Sequence, residues 1–236
     1  MAAVLGLPLA LFGASYLARS ASPAEIPSEV AWTEATLTQA NGGDPFRGLL
    51  LARRCDHCHG AEGFSDDAAV PNLANLDRLT IWKQLEDYRT DKRASLVMRG
   101  IAVPLSTQNR ADLAAYYSML PNSPDPQDKR VFPQAAANGM EASLASRLVT
   151  LGDGQRGIPP CQACHGPVGS VRGAPSLATQ NGAYVLSQLE GFASGLRTND
   201  INMPMRSIAH QLTEEERRAL ADYYGSGLGL LPGGAR

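Results

Sequence analysis

A chain of 236 residues exceeds the ~100–150 of a common domain, so two units of about equal size are expected. Its net charge is −2, with 19% charged residues, and acidic and basic side chains balance within each half. That leaves no basic patch for nucleic acid and no lopsided field to steer a charged partner.

The first segment concerns address. Residues 2–18 carry no charge and end at Arg19, which reads as an export signal or a short membrane anchor. The segment lacks the Lys or Arg usual ahead of a signal, and its 17 residues are slightly long for a signal's apolar region yet at the lower limit for a span. Small residues at Ser22 and Ala24 permit cleavage. A buried helix is the third reading, opposed by the lack of a periodic polar face. Residues 1–24 are expected to be a signal or membrane anchor. Residues 25–42, polar with proline and alanine, are expected to be a spacer that lifts the rest off a bilayer.

Asp44 and Pro45 form an N-cap and first helical residue, and Phe46, Leu49, Leu50 and Arg53 carry a helix into Cys55. There the chain reads Cys55-Asp-His-Cys58-His59-Gly60. On a short helical turn, positions i and i+3 share a face and i+4 rises beside them. Two thiols so placed form thioethers with the two vinyl groups of one haem, and the adjacent imidazole ligates the iron. The signature returns 106 residues later as Cys161-Gln-Ala-Cys164-His165-Gly166, and the two copies use all four cysteines. A zinc site would have to draw both pairs together across that separation, and a thioredoxin-like redox pair expects a βαβ context that is absent. Two covalently bound haem c groups are the expectation. Each would supply much of the interior of a unit too small for a large core of its own.

The elements after each motif recur in the same order. Pro71-Asn-Leu73-Ala matches Pro175-Ser-Leu177-Ala, and Ile81-Trp-Lys-Gln84-Leu85-Glu matches Val185-Leu-Ser-Gln188-Leu189-Glu at helical spacing. Val97-Met98-Arg99-Gly-Ile101 matches Pro204-Met205-Arg206-Ser-Ile208, and the last helix of each half carries a Tyr pair, Tyr116-Tyr117 and Tyr223-Tyr224. Ser106 caps the start of that helix in the first half and Pro121 ends it. In the second half Thr213 and Glu216 form a capping box and Gly225 is placed to stop the helix. The Tyr pairs read as helix-packing residues. The breakers from Pro121 to Pro126 mark a linker, giving units at 43–121 and 136–230 joined by 122–135.

Met98 and Met205 lie 39 and 40 residues after His59 and His165, in stretches expected to be loop-like. A thioether is a soft, neutral ligand that favours ferrous iron, so His59 with Met98 and His165 with Met205 would make two closed electron-transfer centres. Core packing is the bland reading of a lone Met, and the paired context argues against it. Met203 competes with Met205, and His210, five residues beyond Met205, is a further alternative. His57 is expected to face solvent. Arg99 and Arg206 either pair with haem propionates or are solvated.

On these residues the chain resembles the diheme class I cytochromes c of the cytochrome c4 type, over roughly residues 43–228: both attachment sites, the P-x-L-A segment, the Q-L-E helix, the Met-Arg stretch and the L-A-x-Y-Y helix, all twice. The resemblance implies an all-α fold of two tandem class I cytochrome c domains about a pseudo-twofold axis, with haem edges close enough for fast internal exchange. It implies that the carbonyls of Pro71 and Pro175 accept hydrogen bonds from His59 and His165, fixing ring orientation. It also implies that Gly48 lets the first and last helices of its domain cross closely, with Ala145 near the matching place in the second half.

Three functions follow as expectations. The first is an electron carrier, not an enzyme, on the periplasmic side of the inner membrane. It would run between a quinol-oxidising complex and a terminal oxidase or reductase, and be either anchored or soluble. The second is a cytochrome subunit permanently bound to a periplasmic dehydrogenase. The third, a diheme peroxidase, needs an openable axial position that two Met ligands deny, and a cysteine-ligated thiosulfate-oxidising centre is excluded because every cysteine is spent.

Overall fold

Asp44 starts the helix that leads into the first attachment motif: its carboxylate accepts from the backbone N–H groups of Phe46 and Arg47 at 2.8 and 3.4 Å, and Pro45 supplies the first helical residue. This is a computed structural model, and it describes residues 27–121, 144–166 and 171–227. Residues 1–24 and the linker 122–135 lie outside the described residues. The described residues are helical, with one isolated bridge, Asp153 to Ile158, in place of any strand.

The first unit holds α1 (Glu34–Asn41), α2 (Pro45–Ala52), the single-turn α3 (Asp56–His59), α4 (Arg78–Arg89), α5 (Leu96–Ala102) and α6 (Thr107–Met119). Its core gathers Ile81, Trp82 and Leu85 from α4 with Leu113 and Tyr117 from α6. The second unit repeats the order with α7 (Leu144–Thr150), the single-turn α8 (Gln162–His165), α9 (Gly182–Ser194), α10 (Pro204–Gln211) and α11 (Glu214–Gly225). Leu148, Val185, Leu189, Phe192, Leu220 and Tyr224 form its core.

The crossing of α2 over α6 depends on Gly48. A Cβ there would stand 2.1 Å from the Asp112 carbonyl oxygen and 2.7 Å from the Tyr116 Cβ, so no larger residue fits without moving a backbone. Gly48→Val is expected to lower stability by about 1–3 kcal/mol or more through overpacking, read as a loss of melting temperature with the attachment motif untouched.

Asp112 ties the same crossing. It accepts from Asp44 N at 2.7 Å, Arg47 Nε at 3.0 Å and Gln108 Nε2 at 2.8 Å. Burial pushes this carboxyl up, but the bonds from Arg47, Asp44 and Gln108 outweigh it and hold the group below the usual carboxylate range. A folded-state value below the unfolded one means the stabilisation is complete above the ordinary value of ~3.9 and is lost as pH falls through the lower folded value. Asp112→Asn is expected to be less stable than the parent at neutral pH, with the gap closing below about pH 4. Denaturant melts across roughly pH 2–7, on the scale set by that reference value, check the sign.

Three sequence expectations change. The proposed spacer is not free over its described part: Val30 and Ala40 are buried in the first core, and Ser28 Oγ donates to Asp87 at 2.6 Å. Polar composition hid this because Val30 and Ala40 are the only fully buried positions in its described part, with Trp32 packed half-buried beside them. Second, Met98 and Met205 lie in helices, not loops, because Ser95 caps α5 on Met98 N and Pro204 opens α10. Third, Gly225 does not stop its helix. It is the last residue of α11 and meets Gly182 of α9, where a Cβ would stand 2.8 Å from the Gly182 Cα, so the glycine serves a close approach. The predicted caps at Ser106 and Thr213 form complete capping boxes.

The glycine-containing stretch ahead of Cys161 is a tight loop. Asp153 and Ile158 exchange backbone bonds at 2.7 and 2.9 Å, and Arg156 clamps it to Glu216 of α11 through bonds of 2.9 and 2.6 Å.

Candidate functional site

Each C-x-x-C-H motif forms one helical turn. His59 N bonds to Cys55 O at 2.9 Å and His165 N to Cys161 O at 2.9 Å, which puts both thiols and the imidazole of each motif on one turn. All four thiols are free. Burial raises the Cys55 thiol and pushes Cys161 up to about 11.

The two imidazoles are held identically. His59 Nδ1 donates to the Pro71 carbonyl at 2.8 Å, and His165 Nδ1 donates to the Pro175 carbonyl at 2.8 Å. Burial lowers the pKa of each ring, and Arg197 presses further on His165. Both rings are therefore neutral at pH 7, with Nδ1 carrying the proton and the Nε2 lone pair free for a metal.

Beside the first motif, Leu51, Cys55, Ile101, Pro104, Leu105 and Leu113 line an apolar cavity of about 220 Å³, with Arg54 and Gly100 at its wall. Met98 is half-buried against the first core and Met205 against the second. Met203 is 52% exposed and, after Asn202, is the second of two successive residues in the left-handed region, at φ 62° and 65°. His57 and His210 are exposed. Trp82 Nε1 and the Tyr224 hydroxyl are buried with no hydrogen-bond partner among the described residues. Free paired thiols, a neutral proximal imidazole and an apolar cavity at Cys55 fit a thioether-linked haem, and the buried unpaired donors leave hydrogen bonds for such a group to accept.

The two units meet through two polar clusters. In the first, next to the histidine-binding prolines, Asn72 N donates to Gln180 Oε1 at 2.8 Å while Gln180 Nε2 donates back to Asn72 O at 3.1 Å. Asn181 Nδ2 adds a bond to Val70 O at 2.7 Å. The backbone that holds His59 is thus clasped by the segment that holds His165.

The second cluster joins α4 and α9. Lys83 Nζ lies 2.5 Å from Asp87 Oδ2 and 2.6 Å from Asn199 O, and Asn199 Nδ2 reaches Asp87 at 2.7 Å. Beside it Arg93 bonds Gln84, Gln188 and the Tyr184 hydroxyl. Burial lowers the Arg197 guanidinium to about 10, with the Arg93 charge adding to the effect. The sequence reading missed Arg93 and Arg197, although a signal was present: Gln84 precedes Arg93 by nine residues and Gln188 precedes Arg197 by nine. The arginines it singled out instead have protein partners, Arg99 with Asp91 at 3.6 Å and Arg206 with Asp200 at 2.6 Å.

No family model matches the chain. It is 37% identical to cytochrome c4 of Thiocapsa roseopersicina, over 77% of this chain and 91% of that one. It is 38% identical to the thiosulfate dehydrogenase electron acceptor of Stutzerimonas stutzeri strain A1501, over 73% of this chain and 78% of that protein. Among solved structures, reduced recombinant cytochrome c4 from Pseudomonas stutzeri superimposes with a TM-score of 0.69 at 31% identity, covering 78% of this chain and 98% of the other. Two tandem cytochrome c domains with one attachment turn each, matched along most of their length in sequence and in fold, place this chain in the cytochrome c4 family of diheme electron-transfer proteins, which carry two covalent haem c groups.

Proposed function

We propose that this chain shuttles single electrons through two six-coordinate centres, His59 with Met98 and His165 with Met205, and performs no bond chemistry. The observation that carries this reading is the duplicated 2.8 Å bond from each proximal imidazole to a proline carbonyl, with one half-buried Met on a short helix in each unit. Haem c supplies the Fe(II)/Fe(III) couple. The protein's part is to hold ligands whose geometry does not change between oxidation states: Nδ1–H is fixed by a carbonyl, and each Met sits on a helix start set by Ser95 or Pro204. If His59 and Met98 held one haem and His165 and Met205 the other, the protein would offer oxygen and peroxide no free position on either iron. Packing of Met205 against the second core, while Met203 is exposed, favours Met205 as the ligand.

The domains are read as 43–121 and 136–230. The site of action is read as the periplasmic side of the inner membrane, between a quinol-oxidising complex and a terminal oxidase or a dehydrogenase. Among the described residues no helix is long and apolar enough to cross a membrane, and the segment read as signal or anchor lies outside them. The relative described as a thiosulfate dehydrogenase electron acceptor supports a second reading, in which the partner is a dehydrogenase and the chain a bound subunit. The deciding experiment is spectroscopic. Oxidised protein should show the weak iron–sulfur band at the red end with intensity for two haems per chain, and a high-spin haem at rest, or turnover of peroxide, overturns the carrier reading.

A further inference from the structure

We propose that Trp32, carried on the N-terminal stretch of the first unit, is a positioning residue for the second haem centre: its indole braces the loop whose Pro175 carbonyl holds His165. The inference rests on the reading that both motifs carry haem. Gly173 stands two residues ahead of Pro175, in the left-handed region at φ 78°. A Cβ there would be 2.7 Å from Trp32 Cζ2 and 3.6 Å from both Trp32 Cε2 and Lys83 Cδ, so the ring packs directly on the Gly173 backbone and no side chain fits between them. Those three nearest atoms come from the N-terminal stretch and from α4 of the first unit. The loop of the second unit is thus covered by the first.

Trp32 is itself held in place. It packs half-buried against the first core, where Val30 is buried beside it. Ahead of it, Ser28 Oγ donates to Asp87 at 2.6 Å and accepts from Val30 N at 3.2 Å, and Glu29 pairs with Lys92 at 2.9 Å. Behind it, Thr33 caps α1 by accepting from Thr36 N at 3.2 Å. Residues 28–33 therefore form a strap fastened to the first unit, and the indole is the part of it that reaches the second. The strap lies ahead of residues 43–228, the span of the family resemblance.

The two repeats brace their histidine acceptors differently. In the first, the residue at the Gly173 position is Ala69, which is exposed, and the loop is held by hydrogen bonds from Asn181 Nδ2 to the Asp67 and Val70 carbonyls at 3.3 and 2.7 Å. In the second, an indole covers a glycine, and the restraint comes from packing. Two residues on, the Pro175 carbonyl accepts from His165 Nδ1 at 2.8 Å. A proximal imidazole whose N–H is held by a carbonyl is the more basic ligand, and a more basic ligand favours ferric iron. A side chain from the first unit's N-terminal stretch thereby sets the donor strength of the second unit's histidine.

The test is proton exchange at the two proximal imidazoles of the reduced holoprotein, read by NMR on nitrogen-labelled histidine, together with a redox titration that resolves the two centres. In Trp32→Ala the His165 Nδ1–H is expected to exchange at least about tenfold faster, the factor for about 1.4 kcal/mol taken from the cost of local opening. The second potential is expected to rise, while the His59 Nδ1–H and the first potential stay at their parent values. Trp32→Phe, which keeps a ring over Gly173, is expected to restore most of the protection. Trp32→Leu, which keeps apolar bulk in the first core but no ring, carries the same measurement where the Ala variant does not fold. Unchanged exchange at His165 in a variant that retains both haems overturns the proposal. So does equal acceleration at His59, which would make Trp32 a filler of the first core and nothing more. Failure of the underlying reading looks different: the unsubstituted protein would lack two thioether-linked haems.

Discussion

Met98→Ala is expected to drop the potential of the first haem by a few tenths of a volt, out of the ~0.8 V range that axial ligands command, while the second haem keeps its own. A thioether donates little charge to ferric iron and stabilises the ferrous state, so its loss to water favours oxidation. The expected protein has one low-spin and one high-spin haem, half the iron–sulfur band, and a new ability to bind small ligands at the first iron. Stability should change less than the potential, since Met98 is only half-buried and its neighbours in the first core, Leu105 and Tyr117, remain. Met205→Ala should do the same to the second haem, and Met203→Ala should leave the band intact. The measurement is a redox titration with parallel spectra of the oxidised protein. A Met98→Ala variant with both haems low-spin and an unchanged pair of potentials would remove Met98 from the ligand set.

How much of this was legible in the sequence depended on whether a residue's role was local. The attachment turns and the caps at Asp44, Ser106 and Thr213 act within one helix, and each leaves a spacing that can be read directly, whereas the α2 glycine was legible only through the family resemblance. The α1 helix was not legible: the buried Val30 just ahead of it and Ala40 within it are two points in a polar stretch, and nothing local shows that α4 and α6 wait to receive them. The helical setting of the Met residues was hidden for a related reason, since α5 and α10 have only seven and eight residues, too few for a hydrophobic period. The interface was the least legible part. Gln84 and Gln188 were visible as a repeat, but a glutamine on a helix reads as a solvated face until the second unit is placed against it. Only then do Asp87 and Asn199, polar residues 112 positions apart, become a buried pair.

That pair's surroundings carry the other large effect. Asp87→Ala is expected to cost about 3–5 kcal/mol and to split one unfolding transition into two. Lys83 is 3% exposed and Asp87 0%, so removing the carboxylate leaves an ammonium with only the Asn199 carbonyl against it. It also strips the acceptor from Ser28 Oγ and one of the two acceptors from Asn199 Nδ2, and it raises the uncompensated positive charge beside Arg93 and Arg197. Because Ser28 belongs to the N-terminal stretch, Asn199 to the second unit, and Lys83 and Asp87 to α4 of the first, all three parts loosen together. None of the side chains of His59, Met98, His165 and Met205 is bonded to this cluster, so the iron–sulfur band should survive. The double variant Lys83→Met with Asp87→Leu separates the two causes: a buried ion pair replaced by apolar residues of similar volume is often neutral or better, so it should regain most of the loss. If the single variant instead unfolds in one transition at the parent's midpoint, the charge cluster does not hold the two units together, and the Asn72–Gln180 clasp and the packing of Ile201 on the first core must do so.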